Sequence, residues 1–396
     1  MISEAAFQNW PGGIDNKSRP NRIAEGYARD LLNLDPGPTL KSRIGYEKVV
    51  SGTNVRAVMA LGRELLFVDG TELKRYSLAT DTTDVLAQVA GAGVVCSTVF
   101  NEELFISTAT ETLRYNGELR MWGVPDVTGQ PAVAITGQSP GRRFIAMTYV
   151  NHLGEEGGTV SAVDAPNGTY EVTVPPLPTG CTARIYVSAL NGQTLYLQRE
   201  VATAGVITVS NPVTDTATLA TMHMGAPKPS TILASTRGAI LMAAGNAVTA
   251  TEPLWPHLVD YSKRFVQYPK EVGMVLSGIH GVYISADKCY RVEGVETDSP
   301  RQVEALDYPA VPGTGVILPS GAAAWVTRYG MAGESADPRE GVLTVNDRFV
   351  AGENDSGVSG VVENDGTERL VTVMKRSEGQ GNLAACDYYE AEVVSP

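Results

Sequence analysis

The chain has 396 residues, with 44 Asp/Glu against 31 Lys/Arg, a net charge of −13 and a pI near 4.9. So acidic a surface disfavours wrapping or reading DNA, where affinity comes from Lys and Arg displacing phosphate counterions. With 41 Gly, 23 Pro and 19% charged residues, the composition suits a globular chain of short strands and tight turns, and it excludes a disordered or long-helical one.

The N-terminal "MISEAAFQNWPGG" has no basic stretch followed by an apolar run, and no apolar segment reaches the ~18 residues of a membrane-spanning helix. A soluble protein made in a cytosol is therefore expected, with no secretory signal. Residues 1–43 read as an extended arm, because the prolines of "KSRPNRI" and "NLDPGPTLKSR" disfavour helix at and before themselves. "AEGYARDLL" (24–32) is the one stretch there suited to a turn or two of helix.

A repeat begins next. "ELLFVDGTELKRY" (64–76) aligns without a gap on "ELFISTATETLRY" (103–115), and Glu64, Leu65, Thr71, Glu72, Arg75 and Tyr76 recur 39 residues later as Glu103, Leu104, Thr110, Glu111, Arg114 and Tyr115. Each copy reads as a hairpin: an apolar strand, a polar turn, and a second strand ending in Arg-Tyr. Asp69-Gly70 marks the first turn, since Gly takes positive φ without steric cost. Looser echoes follow at 238–253, 281–294 and 321–335, and "GVVENDGTERLVTV" (360–373) turns on Asn364-Asp365-Gly366. Units placed on these hairpins start near 54, 92, 229, 271, 314 and 358. A period of about forty residues with several short strands per unit is the pattern of β-propeller blades.

One interval is too long and leaves roughly ninety to a hundred residues beyond a blade, about the size of an immunoglobulin-like sandwich. Seven strands are predicted there, at 131–136, 142–150, 158–163, 168–174, 183–189, 194–201 and 205–211, with an Asn191-Gly192 turn between two of them. The fold class expected is all-β: a propeller of about six blades with an inserted Ig/fibronectin-like sandwich and an extended N-terminal arm. Its parts are the arm at 1–43, the first propeller part at 44–127, the insertion at 128–226 and the second propeller part at 227–396. Closure is expected from "DYYEAEVV" (387–394) pairing with "IGYEKVV" (44–50), which would remove an exposed edge. Residues 331–396 hold thirteen Asp/Glu against five Lys/Arg.

Catalytic patterns are weak throughout. His152, His223, His257 and His280 show no metal-binding spacing, and "MHM" (222–224) sits in an expected linker. Cys96, Cys181, Cys289 and Cys386 lack CxxC spacing and read as free thiols. "GENDSG" (352–357) and "VENDGTE" (362–368) bunch their carboxylates instead of alternating them as a calcium loop does. "SGVSG" (356–360) is not a nucleophile elbow, and "PGTGV" (312–316) lacks the Lys and helix of a phosphate loop. "NGT" (167–169) reads as a turn. Glu155-Glu156 could do acid/base work but lie in a Gly-rich loop, where exposed charge is ordinary. No catalytic, cofactor-binding or metal-binding residue is assigned, and no enzyme activity is expected.

The order of features nevertheless resembles tail tubular or nozzle proteins of short-tailed bacteriophages. The stretch "GGIDN…NRIA…DLLNLDPG…LKSRIGYEKV" (12–49) is similar to their N-termini. "FIAMTYVNHLGEEGGTVSA" and "ARIYVS" resemble strands of their inserted Ig-like module, and "RGAILMAAGN" with "TEPLWPH" resembles a hairpin and the stretch after it. The resemblance implies a structural virion protein assembled in the host cytoplasm. It would form a homo-oligomeric ring, six subunits expected, joined to adjacent tail or connector proteins. Double-stranded DNA would pass through non-specifically, and the acidic segment 331–396, a candidate for bore or lower-rim surface, would repel rather than grip it. The arm, 1–43, would cross onto a neighbouring subunit or ring. Two other classes stay open: an adhesin binding host glycan through Trp122, Trp255 or Trp325, and a propeller glycoside hydrolase.

Overall fold

The computed structural model describes residues 50–127, 129–297, 299–345, 356–364, 367–375 and 387–392, together with 13–14, 18–24, 27–28, 34–35 and 41–42. The protein is all-β; among the described residues the one helical segment is a three-residue 3-10 turn, Pro20–Arg22. Two compact units divide it: Thr53–Gln267 with Glu296–Asp298, and Met1–Gly52, Tyr268–Val295 and Ser299–Pro396.

The first unit holds three four-stranded antiparallel meanders. They comprise Val55–Leu61, Glu64–Asp69, Glu72–Ser77 and Thr82–Gln88; then Cys96–Phe100, Glu103–Ser107, Thr112–Tyr115 and Leu119–Met121; then Ile232–Ser235, Ile240–Ala244, Ala247–Ala250 and Phe265–Gln267. The other unit holds a fourth (Met274–Ser277, Val282–Ser285, Cys289–Glu293, Arg301–Leu306) and a fifth (Val316–Ile317, Ala323–Thr327, Gly330–Glu334, Val342–Val345). Its sixth has three described strands, Ser356–Asn364, Thr367–Lys375 and Asp387–Glu392. The sheets thus open at 55, 96, 232, 274, 316 and 356, within four residues of each predicted unit start.

Within each unit, successive meanders stack face to face, and the second strands explain how. Leu104 and Ile106 pack with Leu66, Val68 and Leu73 of the first meander, whereas the intervening Phe105 packs with Ile240 and Met242 of the third. The period-2 alternation of a strand therefore serves two cores at once. Trp325 likewise joins Tyr283 of the fourth meander, while the adjacent Ala324 joins Leu370 of the sixth. Burial on both faces is why these strands read as unbroken apolar runs rather than alternating ones. The first strands of the first, second and third meanders lie side by side, as do those of the fourth, fifth and sixth.

Hairpin turns follow their residues. Gly70 has φ +64° in the two-residue loop joining Asp69 to its partner Glu72. Asp69 accepts backbone bonds from Asn54 (2.8 Å) and Thr53 (3.1 Å) and pairs with Lys74 at 3.0 Å. In the second copy the loop widens to four residues, and Thr108, the counterpart of Asp69, accepts from the Glu111 N–H at 3.0 Å. In the sixth meander Asn364 pairs with Thr367; Asp365 and Gly366 of the expected turn lie outside the described residues.

Between the second and third meanders lies one five-stranded sheet, in the order Leu195–Val201, Cys181–Ser188, Ala132–Asn151, Val163–Val174, Gly205–Val209. This corrects the seven-strand expectation. The apolar runs at 131–136 and 142–150 fuse into a single 20-residue strand with register shifts between Thr136 and Arg142. Residues 158–163 contribute an isolated bridge, Thr159 to Met222, ahead of the strand that starts at Val163. Bulges let one strand turn a corner and serve both halves of a folded sheet. The halves share one core, in which Ile145, Met147 and Ile185 meet Val133, Tyr170 and Val172.

Other expectations are corrected or lie outside the description. Tyr27–Ala28 is a short strand paired parallel with Gly13–Ile14, not helix. Asn167 is no turn residue: it lies within the strand Val163–Val174, donating to Ser139 Oγ at 2.8 Å and accepting from Arg143 Nε at 3.0 Å. Gly168 is needed there because a Cβ would come within 2.7 Å of the Thr136 carbonyl. Asp387–Glu392 pairs with Thr367–Lys375; of its expected partner, 44–50, all but Val50 lies outside the described residues, as do Cys386 and much of 331–396.

Candidate functional site

The repeated residues converge on the joints between sheets. Tyr115, fully buried, donates its hydroxyl to Glu64 Oε2 at 2.7 Å and accepts from Arg75 at 3.3 Å, so the second meander's repeated Tyr reaches back to the first. Arg75 also pairs with Asp84 at 2.6 Å. Burial, followed by the Glu64 contact, pushes the Tyr115 hydroxyl above its usual range despite Arg75. Tyr76, at the same position in the first meander, donates to Asp81 at 2.9 Å in its own sheet.

Arg114 points the other way. Only 4% exposed, it makes a two-pronged pair with Glu155 of the five-stranded sheet, at 2.9 and 2.8 Å, and lies 3.7 Å from Glu103. Asn151 donates to Glu155 at 2.7 Å, and His257 Nδ1 lies 3.7 Å from it. Burial would raise the Glu155 carboxyl, but Arg114 and Asn151 outweigh it and hold it below the usual carboxylate range. Burial and the Arg114 charge lower His257, against the pull of Glu155.

Glu156 is held separately. Arg184 pairs with it at 2.8 Å, and the Thr148 and Tyr186 hydroxyls donate to it at 2.6 and 2.7 Å. The two carboxylates expected to be exposed are thus half-buried and bound to different guanidiniums. Each already has its counter-charge and its donors, an arrangement that grips rather than transfers protons. The glycines beside them serve close approach: a Cβ on Gly158 would fall 1.8 Å from the Met224 carbonyl, and one on Gly123 2.8 Å from Pro227. The chain's entry to and exit from the five-stranded sheet meet here. Asp126 accepts from the Ala226 N–H at 2.9 Å, and Thr112 and Tyr261 donate to the carbonyls of Pro227 and Ala226.

In the other unit, Glu334 plays a similar part. It is 8% exposed and receives the N–H groups of Ile279 (2.8 Å), His280 (2.6 Å) and Ala323 (3.1 Å) with the Tyr283 hydroxyl (3.1 Å), tying the fourth meander to the fifth.

Trp122 and Trp325 are core, at 1% and 0% exposure, which removes them as sugar platforms; Trp255 is 43% exposed beside Leu254, whose φ is +63°. His223, with φ +66°, donates its N–H to Thr159, so "MHM" is strapped to the inserted sheet. Thr314 of "PGTGV" is buried and bonds Val311 and Val326. Ser359 of "SGVSG" bonds Thr372. Burial pushes the Cys96 thiol up to about 12 and Cys289 to about 11. Among the described residues no three His, Cys, Asp or Glu side chains gather as metal ligands, and no helix is long and apolar enough to cross a membrane. Sequence reasoning passed over Arg184, Tyr186, Asn151 and Glu334; the one signal for such joints was the recurring Arg-Tyr.

No protein-family model and no curated protein matches the chain. Among solved structures it is similar to PorZ, a surface component of the type-IX secretion system of Porphyromonas gingivalis, at 9% identity and TM-score 0.24, covering 86% of this chain and 54% of that one. It is similar to apo AztD from Citrobacter koseri at 12% identity and TM-score 0.37, covering 82% of each. Puromycin hydrolase matches at 12% identity and TM-score 0.32, covering 86% of this chain and 52% of that one. The chain thus spans about half the length of the first and third. Likenesses this slight carry no argument about architecture or activity.

Proposed function

We propose that the chain is a structural protein of a bacteriophage tail, built as a β-propeller of about six blades with an Ig/fibronectin-like sandwich (128–226) inserted between two of them. Copies assemble into a ring, six subunits in this reading, that extends a DNA channel between adjacent tail or connector proteins in the virion. The sequence resemblance over 12–49 and through the insertion motivates the assignment. One observation carries the architecture: alternate residues of a single strand, Leu104 and Ile106 against Phe105, serve the preceding and the following sheet. A radial fan of meanders uses this packing throughout. The gripping of Glu155 and Glu156 by Arg114 and Arg184 suits a rigid spacer that holds its inserted module at a fixed angle.

Negative-stain imaging and light scattering of the purified protein, alone and mixed with a connector ring, test the proposal. Closed rings that stack on the connector are expected. A monomer under all conditions, or rings without a through-channel, would overturn it.

A second reading, a host-glycan adhesin, has one favourable observation in the exposed Trp255. Glycan-array binding abolished by Trp255→Ala would replace the structural role with that one.

A further inference from the structure

The five-stranded sheet protects its two edges unequally. Along Leu195–Val201, residues 213–219 form a strap: Tyr196 bridges Thr218, the Leu197 N–H reaches Ala217, the Leu219 N–H reaches Leu195, and Gln198 bonds Val213. That edge also carries Arg199 and Glu200. At the opposite edge, Gly205–Val209 pairs with Val163–Val174 on one side only, and among the described residues no backbone group pairs with its outer side.

The sequence of this edge, Gly-Val-Ile-Thr-Val, has no charge and no proline. The outer strands of the neighbouring meanders are guarded: Thr82–Gln88 carries Asp84, Leu119–Met121 carries Arg120, and Phe265–Gln267 is three residues long behind Arg264. Charges, prolines and brevity are the usual defences of a sheet edge, and an edge lacking them is a template for another strand. Val206 is 60% exposed and Thr208 is exposed, while Ile207 and Val209 pack into the sheet's own core.

We propose that Gly205–Val209 is an interface at which a second copy of this chain adds its own Gly205–Val209, antiparallel, about a two-fold axis at Ile207. The strand is self-complementary for this pairing. Val206 falls opposite the partner's Thr208, its near-isostere, and Ile207 opposite the partner's Ile207, so no like charges meet. β-Branched residues directly opposite one another are favourable cross-strand pairs. Such a two-fold contact joins copies in pairs whether or not they also form rings.

Register-specific crosslinking tests it on the full chain. Val206→Cys and Thr208→Cys are made separately on size-distinguishable versions and oxidised alone and mixed, beside the wild type with its native thiols. The pairing expects a mixed disulfide dimer several-fold above that of either variant alone, because 206 meets 208 and not itself. Equal or no crosslinking in the mixture would refute it. Thr208→Lys, at an exposed position, should lower the mass measured by concentration-dependent light scattering without changing the melting temperature. An unchanged mass would count equally against the pairing.

Discussion

Replacing Arg114 by Met isolates the grip between the second meander and the inserted sheet. The change keeps the length of the aliphatic stem and removes the guanidinium. Glu155, 17% exposed, would then retain only the Asn151 amide and a histidine 3.7 Å away. Breaking one side of a buried pair costs about 3–5 kcal/mol, because the remaining charge stays desolvated. At about 2–4 °C per kcal/mol for a unit of this size, the melting temperature should fall by roughly 6–20 °C. Glu155→Gln leaves Arg114 near Glu103 at 3.7 Å and keeps a hydrogen-bonding amide, so about 1–3 kcal/mol is expected. The double variant should lose less than the sum, with a coupling energy of about 1–3 kcal/mol. Urea unfolding of all four proteins closes the cycle. A coupling below about 0.5 kcal/mol would show that the two-pronged pair does not fix this joint.

Three further outcomes follow from the same geometry. Asp69 is held at about 2, below its ordinary 3.8, first by the Asn54 N–H and then by Lys74; its stabilisation is therefore full above pH ~4 and fades as pH falls toward 2. The stability deficit of Asp69→Asn should shrink over that window in acid titrations, and a constant gap would refute the assignment. Gly158→Ala places a Cβ 1.8 Å from a carbonyl oxygen, so loss of at least ~1–3 kcal/mol is expected, whereas Gly360→Ala, with no atom within 4 Å, should be neutral in thermal melts. Glu334→Gln turns an amide toward backbone donors and should cost about 2–4 kcal/mol by urea unfolding; a change under 0.5 kcal/mol would mean that those donors find other partners.

The repeating hairpins were readable because their signals are local. Gly70 fixes the length of the first loop, and runs such as "LLFV" and "LFIS" fix the buried strands, so six sheet starts fall within a few residues of expectation. The inserted sheet was misread where tertiary structure overrides local pattern. "GQSPG" (137–141) looks like a break between strands, yet the chain passes through it as bulges within one strand, with Asn167 donating to Ser139 inside it and Asn191 accepting from the Arg142 N–H just beyond. The joints were hidden for a different reason. Glu155 and Arg114 are 41 residues apart, and a Gly-rich setting suggests exposure, whereas the glycines are there to let Met224 and Val124 come close.

The two kinds of contact do different work, and this explains which residues the repeat retains. Apolar faces supply most of the stacking free energy but are nearly indifferent to small slips of one sheet across another. A buried hydroxyl–carboxylate or guanidinium–carboxylate contact has one good geometry and penalises every other. Retaining Glu, Arg and Tyr at corresponding positions lets Tyr115 register the second sheet on Glu64, while Arg114, freed from that task, registers the inserted sheet through Glu155. At the junction with the third meander the polar triplet is absent, and Ile240 and Met242 of "GAILMAAGN" pack against Phe105. Register there falls to the crossing linkers instead: Trp122 donates to the Pro256 carbonyl at 2.7 Å, and Ser230 and Ser107 bond each other at 2.8 Å. The repeat decays in sequence at the junction where other parts of the chain take over its polar function.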